Sequence, residues 1–533
     1  MHDFNLQFIN NEAEEDEGLG HAGIETFKDA PYASIARECG QNSSDARLSE
    51  PVELNFDLLE VSSDHVPALE VFRGAVASCL KKSEDLGEEK STDFFTNAER
   101  LVNAESLKVL RISDANTKGL RGPCEQGTPF HSLVKASGVS NKEQDTSGGS
   151  FGIGKNAVYA ISELQTVFYS TVYRCADSGE EKFLVQGKSI LISHTDDAGD
   201  PKKATGYWGE SNFQPISELQ KCPDWLRRDS RGTSIFGIGF REMEDWQYRI
   251  AASLLRNFFV AIHRGEMQFS VNDGELKVDS TTLPDLFVDR NIRRAAEESG
   301  HLDDFDFSAN LYDCLVSEEA RETKVSILGL GDVSIRLLVR DDLPKRIAII
   351  RNGMIITDSL ENFGDKFKSF PMYRDFVAII ESLDDDGSAL IKRLENPRHD
   401  GLSAERISDQ TKRTDATRVI KALARAIRKH IKEKTQIELQ EVTAIDELSE
   451  FFADLDKTQK IPEAAADTDP ENFTYKPRKR KRKNIKASLP KTMPWSPVDP
   501  VDPVDLVSLA YLAYLANLGR QLLRRKQRYL CYL

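Results

Sequence analysis

Disulfide and zinc chemistry are the first things this sequence lacks. Its seven cysteines are scattered over 533 residues, odd in number and never spaced CxxC. That excludes a disulfide framework and a cysteine-ligated zinc site, and it points to a reducing compartment. Long hydrophobic runs are missing as well. The longest largely apolar stretch, Leu506–Leu518, has 13 residues, whereas a bilayer span takes about 20. The N-terminal MHDFNLQFINNEAEEDEG is acidic and has no apolar leader core. A cytoplasmic protein with no transmembrane segment is expected. Net charge is −16, so the chain as a whole is no polycation. Basic residues are instead concentrated in KPRKRKRKNIK (Lys476–Lys486), which holds eight of them and no acid.

Length allows two or three domains with proper cores. Residues 1–27 read as a polar arm. Helical character is expected over 30–47, 66–80, 156–164, 245–264 and 403–434, with a charged loop over 81–97. Strands are expected at 52–61, 107–112, 166–174, 182–193, 232–240, 325–330, 333–339 and 346–356. These divide into an arm (1–27), a first α/β domain (28–280), a second α/β domain (281–402), a helical segment (403–457) and a basic linker and tail (458–533), whose Pro-, Asp- and Lys/Arg-rich composition reads as disordered.

The glycine-rich SGGSFGIGKNA (147–157) matches two nucleotide templates, the phosphate loop GxxxxGK and the dinucleotide fingerprint GxGxxA. Both need a buried strand immediately upstream. The residues there, SGVSNKEQDT, are polar, and Asn156 replaces the Ser or Thr that would hold magnesium, so both templates fail on context.

Three other stretches carry compatible chemistry. RECGQNSSDA places Glu38, Asn42 and Asp45 at i, i+4 and i+7, one face of a helix. Glu38 is suited to polarise a water, and Asn42 offers an oxygen ligand to Mg2+. VLRISDANTKGL ends a strand at Asp114, where a carboxylate can accept from an adenine amino group, while Asn116 and Gly119 let backbone approach the base. RGTSI opens a strand with Gly232 and Thr233, whose hydroxyl can complete the base contacts.

In this order the motifs resemble the GHKL (Bergerat-fold) ATPase superfamily, which includes the ninety-kilodalton heat-shock chaperones, MutL, type II topoisomerase ATPase subunits, MORC proteins and sensor histidine kinases. E-x-x-x-N-S-S-D-A matches the first motif, and Gly149, Gly152 and Gly154 match the glycines of the ATP lid, with Lys155 beside them as a phosphate contact. Asp114-Ala-Asn116-Thr-Lys-Gly119 stands where the superfamily usually shows D-x-G-x-G. The resemblance implies an α+β chain: an ATPase domain with helices on one face of a mixed sheet, then a transducer-like α/β domain and a helical, partly disordered tail. It implies Mg-dependent ATP hydrolysis, with ATP and Mg2+ as cofactors and homodimerisation on ATP binding. It also implies a γ-phosphate contact from the second domain, for which Lys345, Arg346, Arg351 and, less favoured, Arg398 qualify.

No phospho-accepting helix precedes the first motif, and LDDDG (383–387) is a poor match for a toprim metal centre. A MORC- or MutL-like ATP-gated clamp in a DNA-related process such as restriction, phage defence or DNA maintenance is expected, with DNA contacted through Lys476–Lys486 and with possible partner proteins. The alternative is a chaperone-like ATPase acting on protein clients.

Overall fold

Alternation of apolar residues sorts the first 280 residues onto one mixed sheet. The computed structural model describes residues 4–136, 154–396 and 401–436. The chain divides into units 1–441 and 442–533, and every described residue belongs to the first. The basic strip Lys476–Lys486, the tail, Gly149, Gly152 and Arg398 lie outside the described residues.

The large sheet contains β1 (Asn5–Asn10), β2 (Val52–Ser62), β3 (Ser106–Ala115), β4 (Ser162–Arg174), β5 (Glu181–Ile190), β6 (His194–Thr195), β7 (Pro201–Gly209), β8 (Gly232–Phe240), β9 (Met267–Val271) and β10 (Leu276–Val278). Their order is β1-β7-β5-β4-β8-β3-β2-β9-β10, with β6 paired to β7. All pairs are antiparallel except β2 with β9. A smaller sheet contains β11 (Arg321–Ile327), β12 (Gly331–Val339), β13 (Arg346–Arg351), β14 (Met354–Thr357) and β15 (Phe376–Ser382), in the order β11-β12-β15-β13-β14. The molecule is thus mixed α+β, as expected.

The helices before the second sheet are α1 (Ala22–Glu25), α2 (Pro31–Asp45), α3 (Leu69–Leu86), α4 (Glu89–Val102), α5 (Pro129–Val134), α6 (Ala157–Ala160) and α7 (Trp246–His263). Then come α8 (Leu283–Phe287), α9 (Arg290–Glu298), α10 (Leu302–Val316), α11 (Asp385–Leu394) and α12 (Gln410–Thr435).

Five expectations are corrected. Residues 5–10 are not a free arm: β1 pairs with β7, and Phe4 and Leu6 are buried. Residues 81–97 are not a loop, because Phe95, Ala98 and Val102 recur at helical spacing and are buried along α4. Together α3 and α4 cover the sheet face opposite α2 and α7. Val109, Phe168 and Ile238 pack on the α3–α4 side and Leu110, Val167 and Phe240 on the other, so helices occupy both faces rather than one. The 156–164 helix shrinks to α6, since Ser162 already begins β4.

The fifth concerns RIAIIRNGMII, which is a hairpin, not one strand. Asn352 (φ 49°) and Gly353 (φ 70°) form its two-residue turn, the conformation that an Asn-Gly pair favours. A Cβ on Gly353 would press into the Ala261 backbone of α7, whose N–H donates to the Gly353 carbonyl. The turn therefore docks the second sheet on α7. Gly353→Ala should lower unfolding stability by about 2 kcal/mol through combined φ strain and overpacking, read as a shift in the urea midpoint.

Candidate active site

The helix carrying the first motif sits between two partners. Pro31 opens α2 at its first turn, and Ile35, Ala36 and Cys39 bury one face in the core. Gly40 lies against the Phe258 ring of α7, where a side chain would collide. Glu38 is 5% exposed, and Asn42, one turn on, is exposed. Asp45 lies at the border of this face and turns toward the second sheet, where Lys392 reaches it at 2.8 Å and Arg351 at 3.6 Å.

That neighbouring stripe of α2, formed by Arg37, Gln41 and Asp45 at i, i+4 and i+8, is the joint between the two sheets. Arg37 donates to the Ile355 carbonyl of β14 at 3.0 Å and to Asn257 of α7. Gln41 Nε2 donates to Glu395 Oε2 at 3.4 Å. Glu395 in turn pairs with Arg351, and the two side chains are 0% and 3% exposed. Burial works against the Arg351 charge, and Glu395 and Asp45 outweigh it, holding its pKa above the usual guanidinium range.

Gly154 explains itself at Glu38. A Cβ there would overlap the Glu38 carboxylate, so only glycine can seat the backbone on it. Lys155, next in sequence, donates to the carbonyls of Ser132 and Ala136 at the C-terminal end of α5. Lys188 of β5 donates to Val134 O at 3.3 Å at the same helix end. Burial and then the Lys155 charge push the Lys188 amine down to about 8; burial also lowers Lys155.

Asp114 is the hub of the other half. It is 8% exposed at the end of β3. Oδ1 accepts from the Thr233 N–H at 2.7 Å and from Thr117 Oγ1 at 2.7 Å, and Oδ2 accepts from Ser43 of α2 at 3.3 Å. Burial pushes its pKa up, while Thr117, the Thr233 N–H, Arg228 and Ser43 pull against that. The structure therefore brings the first motif, Asp114 and Thr233 together; Thr233 contributes through its backbone N–H. Asn116 adopts a left-handed φ of 61° and donates to Pro51 O at 2.8 Å, while its carbonyl accepts from Leu48. Gly119 also has positive φ, 69°, and a Cβ there would strike the Val172 carbonyl.

Three residues that sequence reasoning passed over belong here, the first being the buried Thr117 on Asp114. Ser43 was in plain view within NSSDA, since its spacing from Cys39 marks the buried side of α2. Arg228 is buried and clasps β8 to β3 through Ser113 Oγ and Ser234 Oγ, both at 2.8 Å, and the Asp114 carbonyl. In WLRRDSRGTS it has no mark beyond charge.

The candidate γ-phosphate residues are placed as follows. Arg351 is the buried partner of Glu395. Lys345 pairs with Asp375 at 3.1 Å. Arg346 lies over Phe307 and pairs with Asp304 and Asp358. Neither Lys345 nor Arg346 bonds to α2, Asp114 or the Gly154 region.

No family model matches the chain, and no curated protein matches it. Among solved structures it is similar to the ATPase and transducer domains of DNA topoisomerase II from Balamuthia mandrillaris, at 10% identity and a TM-score of 0.34, covering 75% of this chain and 86% of that one. It is likewise similar to the B-subunit of the DNA gyrase from Myxococcus xanthus, at 10% identity and a TM-score of 0.29, covering 75% and 88%.

Removing one member of the buried pair leaves the other charge uncompensated. Arg351→Met should cost about 3–5 kcal/mol in chemical unfolding, and adding Glu395→Leu should restore part of it.

Proposed function

We propose that the chain is an ATPase of the GHKL kind, an ATP-gated dimerising switch acting in a DNA-related process. One observation carries this reading: four stretches distant in sequence meet at α2 and the end of β3. Asp114 is buried with Thr233 N–H, Thr117 and Ser43 on it, Ser43 shares α2 with Glu38 and Asn42, and Gly154 is seated on Glu38.

In this reading Asp114 accepts a hydrogen bond from the adenine amino group, and the Asn116–Gly119 backbone flanks the base. Glu38 accepts a proton from the water that attacks the γ-phosphorus, so the carboxylate must lie next to the phosphate chain. Asn42 is exposed and one turn from Glu38, and its side-chain amide offers an oxygen that fits a magnesium ligand. When bound, the ion offsets negative charge on the phosphate oxygens. Among the described residues no cluster of three or more His, Cys, Asp or Glu forms a metal site of its own, so the remaining oxygens would come from phosphates and water. Lys155 and Lys188, which donate to the carbonyls at the end of α5, are the amines that this reading offers to phosphate. Gly149, Gly152 and Arg398 complete the reading from sequence alone.

The DNA component is supported by α12. Arg418, Lys421, Arg425, Lys429 and Lys432 are exposed along it, and their spacing places them on one side, over about 21 Å at 1.5 Å per residue. Such a stripe suits a phosphate backbone and predicts salt-sensitive, sequence-independent contact.

The test is the ATPase rate with and without duplex DNA at two salt concentrations. Glu38→Ala should retain ATP binding and lose turnover by about 100-fold or more, and Asn42→Ala should lose Mg-ATP binding. Wild-type turnover in Glu38→Ala would sink the base assignment. DNA should stimulate the rate, with the effect fading as salt rises; indifference to DNA at low salt would remove the DNA component.

A further inference from the structure

Away from these residues, a cavity of about 280 Å³ opens where the start of α2 meets α7, α9 and α10. Its walls are largely apolar but carry Lys28, Arg241, Arg249 and Arg256 against the carboxylates Asp29 and Glu298. Two of the cations are already spent inside the fold. Arg249 is held by Asp245 at 2.8 Å, by Ser299 Oγ at 2.8 Å and by Glu298 at 3.3 Å, and Lys28 pairs with Glu25 at 2.6 Å.

Arg256 and Arg241 are not spent. Neither guanidinium takes part in a hydrogen bond or ion pair among the described residues. Asp304, whose charge acts on Arg256, gives its carboxylate to Arg346 at 3.1 Å, and Glu298, in the lining, pairs with Arg249. Burial lowers the Arg256 pKa, with Asp304 only partly offsetting it, and burial and then the Arg256 charge lower His301. A desolvated guanidinium without a counter-ion costs stability. Arg256 and Arg241 are both partly exposed and line the same cavity, so an anion entering it would meet two guanidinium groups with no internal partner. The first turn of α2 adds to this, because no capping side chain takes its free N–H groups.

We infer that this cavity is a binding site for a small multivalent anion, a phosphate- or carboxylate-bearing metabolite, gripped between Arg256 and Arg241. Arg256 presents a planar fork suited to bidentate recognition of either group. The cavity lining contains none of Glu38, Asn42, Asp114, Gly154 or Thr233, so the cavity is distinct from the Glu38–Asp114 region. Because it abuts the first turn of α2, occupancy bears on the helix that carries Glu38.

The test is calorimetric titration of the full chain with inorganic phosphate and, separately, with malonate, at low ionic strength. One probe should bind saturably at one site per chain, and competition between the two identifies which anion the cavity prefers. Arg256→Gln should weaken binding by about tenfold or more, and Arg241→Gln by several-fold. Asn42→Ala should leave it unchanged, which separates this site from the nucleotide reading. Without probe, Arg256→Met should unfold at a higher midpoint than wild type, whereas an arginine kept for structure would lower it. The inference fails if neither probe saturates, or if both arginine variants bind like wild type.

Discussion

The Arg351–Glu395 pair is the constraint on which the rest of this architecture depends. Two side chains with almost no solvent exposure must be formed together, because either alone would be a buried charge. Gln41 and Asp45 are hydrogen-bonded or ion-paired into the same group, and both belong to α2. The position of α2 is therefore set jointly by the large sheet beneath it and by a charge pair in the second. Arg37, reaching the β14 backbone, is a third tie on the same stripe. A displacement of the second sheet has to be felt at Glu38, one residue around the helix from that stripe. Such buried groups stabilise less through attraction than by making every other arrangement expensive.

Much of this was legible in the residues. Polarity alternation located the central strands, and β8 was read with its observed bounds, because Gly232 and Phe240 bracket an unbroken β-rich run. The long α7 and α12 announced themselves through apolar seams, and the α12 seam from Val419 to Ile431 is buried as its spacing implied. Motif order named Asp114 and Thr233 as members of one site, with the Thr233 hydroxyl turned to the base; the bond between them, from the Thr233 backbone N–H, is one that no side-chain pattern encodes.

What was not legible has physical causes. The acidic N-terminus hid β1, since an edge strand needs few apolar residues and gains its order from β7. The charge density of 81–97 hid α4, whose buried face is narrow. Asp45 looked like a third member of the Glu38 face because i+7 and i+8 are neighbours on a helix; only the placement of Lys392, 347 residues away, decides which stripe it joins. Arg351 looked like a free cation because its partner follows it by 44 residues. Long-range charge pairing leaves no local periodicity.

Asp114 has a thermodynamic corollary. Its carboxyl is pushed up by burial despite four hydrogen-bonding or charged neighbours, so in the empty protein it holds a proton to higher pH than an ordinary aspartate. A base whose amino group donates to it favours the ionised form and competes with that proton. Nucleotide capture in the proposed reading would therefore release protons, and affinity would rise as pH climbs through the elevated pKa and fall below it. The heat of binding would then depend on the ionisation enthalpy of the buffer, so the burial of one carboxylate makes the protein's ligand equilibrium a proton equilibrium as well.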